Sequence, residues 1–354
     1  MNTADQDKAL KTLNPRSVWL PVIFSLGIVT WVVLTDENIT WESVQAMQEI
    51  APGALLVTLL LLFCKDFFNM LRLRLLSGGE FSLGAAVYVV LLWEFAIAVT
   101  PPVIGATAVL IFIMFKEGLS LGKALAYTLL AAMMDNFFFL TASPLAIWFS
   151  DGAVLPSNTE VASSLGNSLS YFFWLSYGLI AWYTFQMSAA VLFFPKTIRR
   201  ILTWLMSLKW LRRWQDAVVK QSEELELASK VLKGKKWSYW LSLLGCTYLV
   251  WTMKYAIVNA LMAGFVPMDL AEHALALGRH VIMWVVMLVS PSPGNAGSAE
   301  IIFPAFYQDF LGEYTFITSL IWRMVTFYPY LLIGAVLLPR WTKRIFRRNQ
   351  LANS

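Results

Sequence analysis

Long apolar blocks alternate with short polar ones along the whole chain. Blocks at 17–34, 52–71, 124–148, 169–194, 238–263 and 315–338 are each long enough, at about 20 residues, to carry an α-helix across a bilayer. The pattern predicts six full spans. Two further blocks are equally apolar but broken in the middle. Residues 85–115 break at Pro101, Pro102 and Gly105, and residues 276–311 break at Pro291, Pro293, Gly294 and Gly297. Proline cannot donate a backbone hydrogen bond. Irregular backbone at membrane depth is tolerated only where protein buries it or where it lines a wet cavity.

Charge between the blocks sets their direction. Residues 35–50 carry Asp36, Glu37, Glu42 and Glu49 and no lysine or arginine, and 149–168 and 264–273 also lack both. Residues 195–236 hold eleven lysines and arginines, and the tail at 339–354 adds five. The positive-inside rule puts the N-terminus, 195–236 and the C-terminus in the cytoplasm. Each broken block then starts and ends on one side: 85–115 inside, 276–311 outside. Both are expected to be re-entrant helical hairpins; the alternative, two proline-kinked spans in each, upsets the charge pattern. Residues 52–148 and 238–338 both read as span, hairpin, span. This is an inverted-topology repeat, an arrangement that in transporters places the binding site at the broken elements. The expected architecture is an all-α integral membrane protein in a single domain, 1–354. Span 17–34 precedes repeat A, 169–194 links the repeats, and repeat B is followed by the basic tail.

Composition agrees: 58% of residues are hydrophobic and 14% charged, against roughly 45–50% and about 25% in soluble domains. The net charge of +5 is concentrated in cytoplasmic segments, so it marks topology and no nucleic-acid partner is expected. Lys8, Lys11 and Arg16 precede the first span, but no small-x-small cleavage site follows it, so the span is expected to stay. Cys64 and Cys246 lie inside apolar blocks and carry no redox message. In 195–236, Trp204, Trp210 and Trp214 alternate with basic residues. That segment is either a helix on an anionic membrane surface or a plain connector.

Ionisable groups inside spans cost about 2.5–3.5 kcal/mol at a helix centre. The blocks retain Asp66, Glu94, Asp135, Lys254, Arg279, His280, Glu300 and Arg323. Arg323 and Lys254 are the leading candidates for a lipid phosphate, since a buried cation needs an anion. Glu300 falls in the first turn after Gly297 and Ser298, where a carboxylate caps a helix. It either neutralises Arg323 or meets an amine on a headgroup. Arg279, Asp135, Gly105, Gly294, Asn295, Gly297 and Ser298 complete the candidate headgroup site. His273 and His280 lack metal-ligand neighbours, so neither metal nor cofactor is expected. No phosphate-binding glycine loop is present, so energy coupling by ATP would need a partner.

SPSPGNAGSAEIIF followed by LIWRMVTFYPYLLIG resembles the transmembrane region of lysylphosphatidylglycerol synthase/flippase proteins. The family pattern there is Pro-x-Pro-Gly-Gly-x-Gly-x-x-Glu, then a span with an arginine followed by a tyrosine. Pro291, Pro293, Gly294, Gly297, Glu300, Arg323 and Tyr328 fit, and Asn295 replaces a glycine. In the first hairpin Thr100, Pro101, Gly105, Lys116, Gly118 and Asp135 fit. Ala106 stands for a second glycine, and Ala131–Ala132 for a Glu-Arg pair. The resemblance implies a multi-span protein of the bacterial cytoplasmic membrane that handles phospholipid or a lipid-linked substrate. The soluble aminoacyl-transferase domain of the full-length synthases has no counterpart here, so lysyl transfer is not expected of this chain. The expected function is a flippase-like translocase or lipid-binding transporter. The alternatives are a membrane-embedded transferase working with a soluble enzyme partner, and a non-transporting scaffold.

Overall fold

The computed structural model describes residues 45–100, 105–155, 168–189, 234–288, 295 and 297–353, with a few isolated positions elsewhere. The expected span 17–34, except residue 30, most of 195–236, and Pro101, Pro102, Pro291, Pro293 and Gly294 lie outside the described residues. All elements among the described residues are helical: α1 (Pro52–Leu76), α2 (Leu83–Val99), α3 (Gly105–Lys116), α4 (Leu121–Phe149), α5 (Ser168–Ser188), α6 (Trp237–Met262), α7 (Leu270–Met287), α8 (Ser298–Leu311), α9 (Thr315–Thr326) and α10 (Tyr328–Asn353), with single 3₁₀ turns at Ala46–Glu49 and Gly312–Tyr314. The all-α membrane class follows. Five stretches are long and apolar enough to cross a bilayer: α1, α4, α6, α7 and the run Ser298–Ile345.

Local chemistry sets the boundaries. Pro52 opens α1 at a position where its missing N–H has no intrahelical partner to lose. Ser82 and Ser120 cap α2 and α4 by accepting the backbone N–H of Ala85 and Lys123, and Asp269 and Glu272 form a capping box on α7. The helix α2 ends at Thr100, the residue before Pro101, whose ring disfavours helical geometry in its predecessor. Block 315–338 lies within the apolar run Ser298–Ile345, and its helix is interrupted at Phe327 between α9 and α10. Pro329 is the cause. Within an unbroken helix its ring would clash with the preceding turn; in the first turn of a new helix it fits.

Helix pairing repeats between the halves. In the first, α1 packs on α2, α2 on α3 and α3 on α4; in the second, α6 packs on α7, α7 on α8 and α8 on α9. Across the halves α1 lies along α6, while α2 packs on α10 as α7 packs on α4. Gly334 permits the α2–α10 contact, since a Cβ there would sit 2.1 Å from the Phe95 ring.

Two apolar cores are stacked along the helices. One collects α2 and α3 with the ends Leu73–Leu76 of α1, Ala124–Met134 of α4, Leu243 of α6 and the α10 face. The other collects α7, α8 and α9 with Phe138 and Phe139 of α4 and Tyr255–Met262 of α6. The long helices α1, α4 and α6 thus feed both cores, but α2 and α3 feed only the first and α7 and α8 only the second. Large side chains such as Phe63, Trp174, Trp182 and Phe185 are exposed on the outer faces of α1 and α5, as lipid contact allows. The level where the long helices pass from one core to the other carries Lys65, Asp66, Asn69, Arg72, Asp135 and Lys254.

Candidate functional site

A cavity of about 70 Å³ opens at that level, room for several waters or one compact polar group. Both halves contribute to its wall: Leu62 and Lys65 from α1, Glu94, Ile97 and Ala98 from α2, Lys254 and Ile257 from α6, His280, Trp284 and Met287 from α7, Asn295 and Ala299 beside the second break, and Trp322, Arg323, Thr326, Phe327 and Tyr330 around the α9–α10 kink. The contributions from α2 and α7 come from the helix ends nearest the two sequence breaks.

Lys65 is the hub of one wall. It is 2% exposed, and its ammonium lies 2.8 Å from Glu94 Oε1 and 2.9 Å from Asp66 Oδ1. It also donates to the Tyr330 hydroxyl at 2.8 Å. That hydroxyl in turn donates to Asp66. Lys65 was not among the candidates read from sequence, nor was Tyr330. The signal for the first was a second ionisable residue inside FCKDFF, masked by its neighbour Asp66; for the second it was a tyrosine next to the kink proline.

Arg323 and Glu300 meet as one sequence alternative required. Arg323 Nε donates to Glu300 Oε1 at 2.9 Å, and the guanidinium lies 4.1 Å from the Phe327 ring centre. The other carboxylate oxygen accepts the Gly297 N–H at 2.7 Å, capping α8. Gly297 has φ +85° and Asn295 φ +54°. The left-handed backbone at 297 suits glycine, which has no Cβ to clash, and it aims the start of α8 at the cavity. Asn295 is 6% exposed, and its Oδ1 has no hydrogen-bond partner among the described residues.

Lys254 differs from the other buried cations. Its ammonium sits between the Trp251 and Trp284 rings, 4.8 and 4.1 Å from their centres. No carboxylate among the described residues lies within ion-pair distance of it. Each indole face is worth up to about 2 kcal/mol to a desolvated cation. Two together match the insertion cost of the charge, so the ammonium is held in place without being neutralised.

The remaining candidates are used elsewhere. Asp135 pairs with Arg72 and accepts the Trp251 indole N–H at 2.8 Å, so it supports one of the rings beside Lys254 without lining the cavity. Arg279 is tied to Asp309 at 2.5 Å and to the Phe306 carbonyl at 2.8 Å, away from the cavity wall. Gly105 begins α3 and Ser298 begins α8; Ser298 does not line the cavity. His280 does, and its Nδ1 is 2.9 Å from the Tyr307 hydroxyl, which also donates to the Ala276 carbonyl.

Comparison with known proteins gives two matches. The family described as "Lysylphosphatidylglycerol synthase TM region" matches residues 18–334. A "UPF0104 membrane protein" from Archaeoglobus fulgidus is 21% identical over 318 residues, 85% of this chain and 90% of that protein. No solved structure matches the chain.

Proposed function

The chain belongs to the family of the lysylphosphatidylglycerol synthase transmembrane region, and from that premise we propose that it moves a phospholipid between the leaflets of a bacterial cytoplasmic membrane. The cavity receives the headgroup, while the acyl chains stay in the surrounding bilayer. The N- and C-termini and residues 195–236 face the cytoplasm. The pairs α2–α3 and α7–α8 act as hairpins entering from opposite sides. Support for this comes from the stacked cores, since each pair belongs to one core only. Length agrees, because α3 and α8, with 12 and 14 residues, rise only about 18 and 21 Å. Neither crosses a hydrocarbon layer of about 30 Å alone.

One observation carries the reading. Lys254 is an ammonium between two indoles, at the level between the two cores, facing a cavity and lacking a carboxylate partner among the described residues. A phosphate, carried in on a lipid headgroup, is the anion that a membrane supplies. The test is transbilayer movement of fluorescent phospholipids in proteoliposomes, read by quenching of the outer leaflet. Lys254→Gln should slow it at least tenfold while thermal unfolding stays close to that of the unaltered chain. Unchanged movement in a folded Lys254→Gln protein overturns the proposal.

A further inference from the structure

Charge in the cavity wall balances as a sum but not in place. Lys65, Lys254, Arg323 and Glu94 line the cavity, and Asp66 and Glu300 stand behind it as partners of Lys65 and Arg323, three cations to three carboxylates. Arg323 and Glu300 cancel locally. Lys65 is shared by Asp66 and Glu94, which leaves one negative charge in excess on that wall. Lys254 adds one positive charge with no carboxylate at ion-pair distance among the described residues. One neutral group adds to the acceptors of the acidic wall. Asn295 Oδ1 is a buried acceptor with no donor among the described residues. One end of the cavity therefore needs an anion, and the rest needs hydrogen-bond donors carrying a single positive charge. A primary ammonium supplies three donors and one charge.

Building on the lipid reading above, we infer that the cavity is a zwitterion site for a phospholipid headgroup with one phosphate and one primary ammonium. The phosphate lies on Lys254 between Trp251 and Trp284. The ammonium lies against Glu94 and Asn295. Hydrogen bonds to charged groups are the strong ones, so loss of the amine costs more than loss of a neutral hydroxyl. A headgroup with two ammoniums finds only one excess carboxylate and carries an unmatched charge into a buried site.

The experiment titrates the purified full chain in detergent with four short-chain lipids: phosphatidylethanolamine, its N-acetyl derivative, phosphatidylglycerol and lysylphosphatidylglycerol. Phosphatidylethanolamine should bind roughly tenfold tighter than each of the others, the effect of one charge-assisted hydrogen bond. Glu94→Gln should remove that preference without weakening the N-acetyl lipid, and Lys254→Gln should weaken all four. The comparison on the unaltered chain decides the matter even if Glu94→Gln does not fold. Equal or tighter binding of the N-acetyl lipid or phosphatidylglycerol overturns the ammonium site. Tighter binding of lysylphosphatidylglycerol overturns the limit to one amine. Soluble glycerophosphoethanolamine should compete poorly; competition equal to the lipid overturns the lipid source. Binding of all four lipids that ignores Lys254 counts against the lipid reading itself, whereas equal binding that depends on Lys254 removes only the zwitterion.

Discussion

The Arg323–Glu300 pair allows the sharpest energetic test. The two side chains are 7% and 9% exposed and 2.9 Å apart, so neither charge can turn to water. Removing one partner of a buried pair costs roughly 3–5 kcal/mol, because the other charge is left uncompensated. Arg323→Gln should therefore destabilise by about that amount. Glu300→Gln should cost about as much from the pair, but not through the helix cap, since a glutamine oxygen still accepts the Gly297 N–H. In the double variant both charges are gone and the cap survives, so the total should fall to about 1–2 kcal/mol. The sum of the single effects then exceeds the double by several kcal/mol, whereas independent sites add within about 0.5 kcal/mol. Reversible unfolding in mixed micelles measures all four proteins. Additive losses would refute the reasoning and mean that Arg323 and Glu300 act on separate partners.

Lys65→Met should destabilise by roughly 3–5 kcal/mol, since Asp66, Glu94 and Tyr330 all lose their shared partner, while Lys123→Met at the exposed Lys123–Glu80 pair should cost at most about 1 kcal/mol; the same unfolding assay compares them. Gly334→Leu drives a side chain into Phe95 and should prevent folded protein from accumulating, whereas Gly178→Leu, with open space around it, should leave the size-exclusion profile unchanged. With Cys64 and Cys246 replaced, a cysteine at 157 should label from outside the cell and one at 222 should not; the opposite pattern would reverse the orientation.

How much was legible in the sequence depends on whether the signal was local. Lys254 stood out because a lone cation in an apolar block has no innocuous local explanation. Glu300 as a helix cap followed from its position three residues after Gly297. Arg279 looked equally exceptional, but its partner Asp309 lies 30 residues away, and nothing local reports that pairing. Lys65 was hidden by adjacency, since a neighbouring aspartate reads as a self-contained pair although the lysine also reaches across to Glu94 and Tyr330. The block around Pro329 was apolar enough to read as one span, so the kink that lends Phe327 and Tyr330 to the cavity went unread. The cavity itself depends on α1 lying along α6, a contact between segments nearly 200 residues apart.

Under the proposed orientation, the two stacked cores would change the electrostatic landscape along the membrane normal. In plain lipid a charged group meets its steepest cost at the bilayer centre. In the orientation proposed above, this protein would reverse that profile, with its apolar layers toward either face and Lys65, Glu94, Lys254 and Arg323 at its centre. A headgroup on its way across would face two thin barriers separated by a polar well instead of one thick barrier. Residence in that well, more than the ascent to it, would then set the speed of transit, and making the well deeper would slow the crossing.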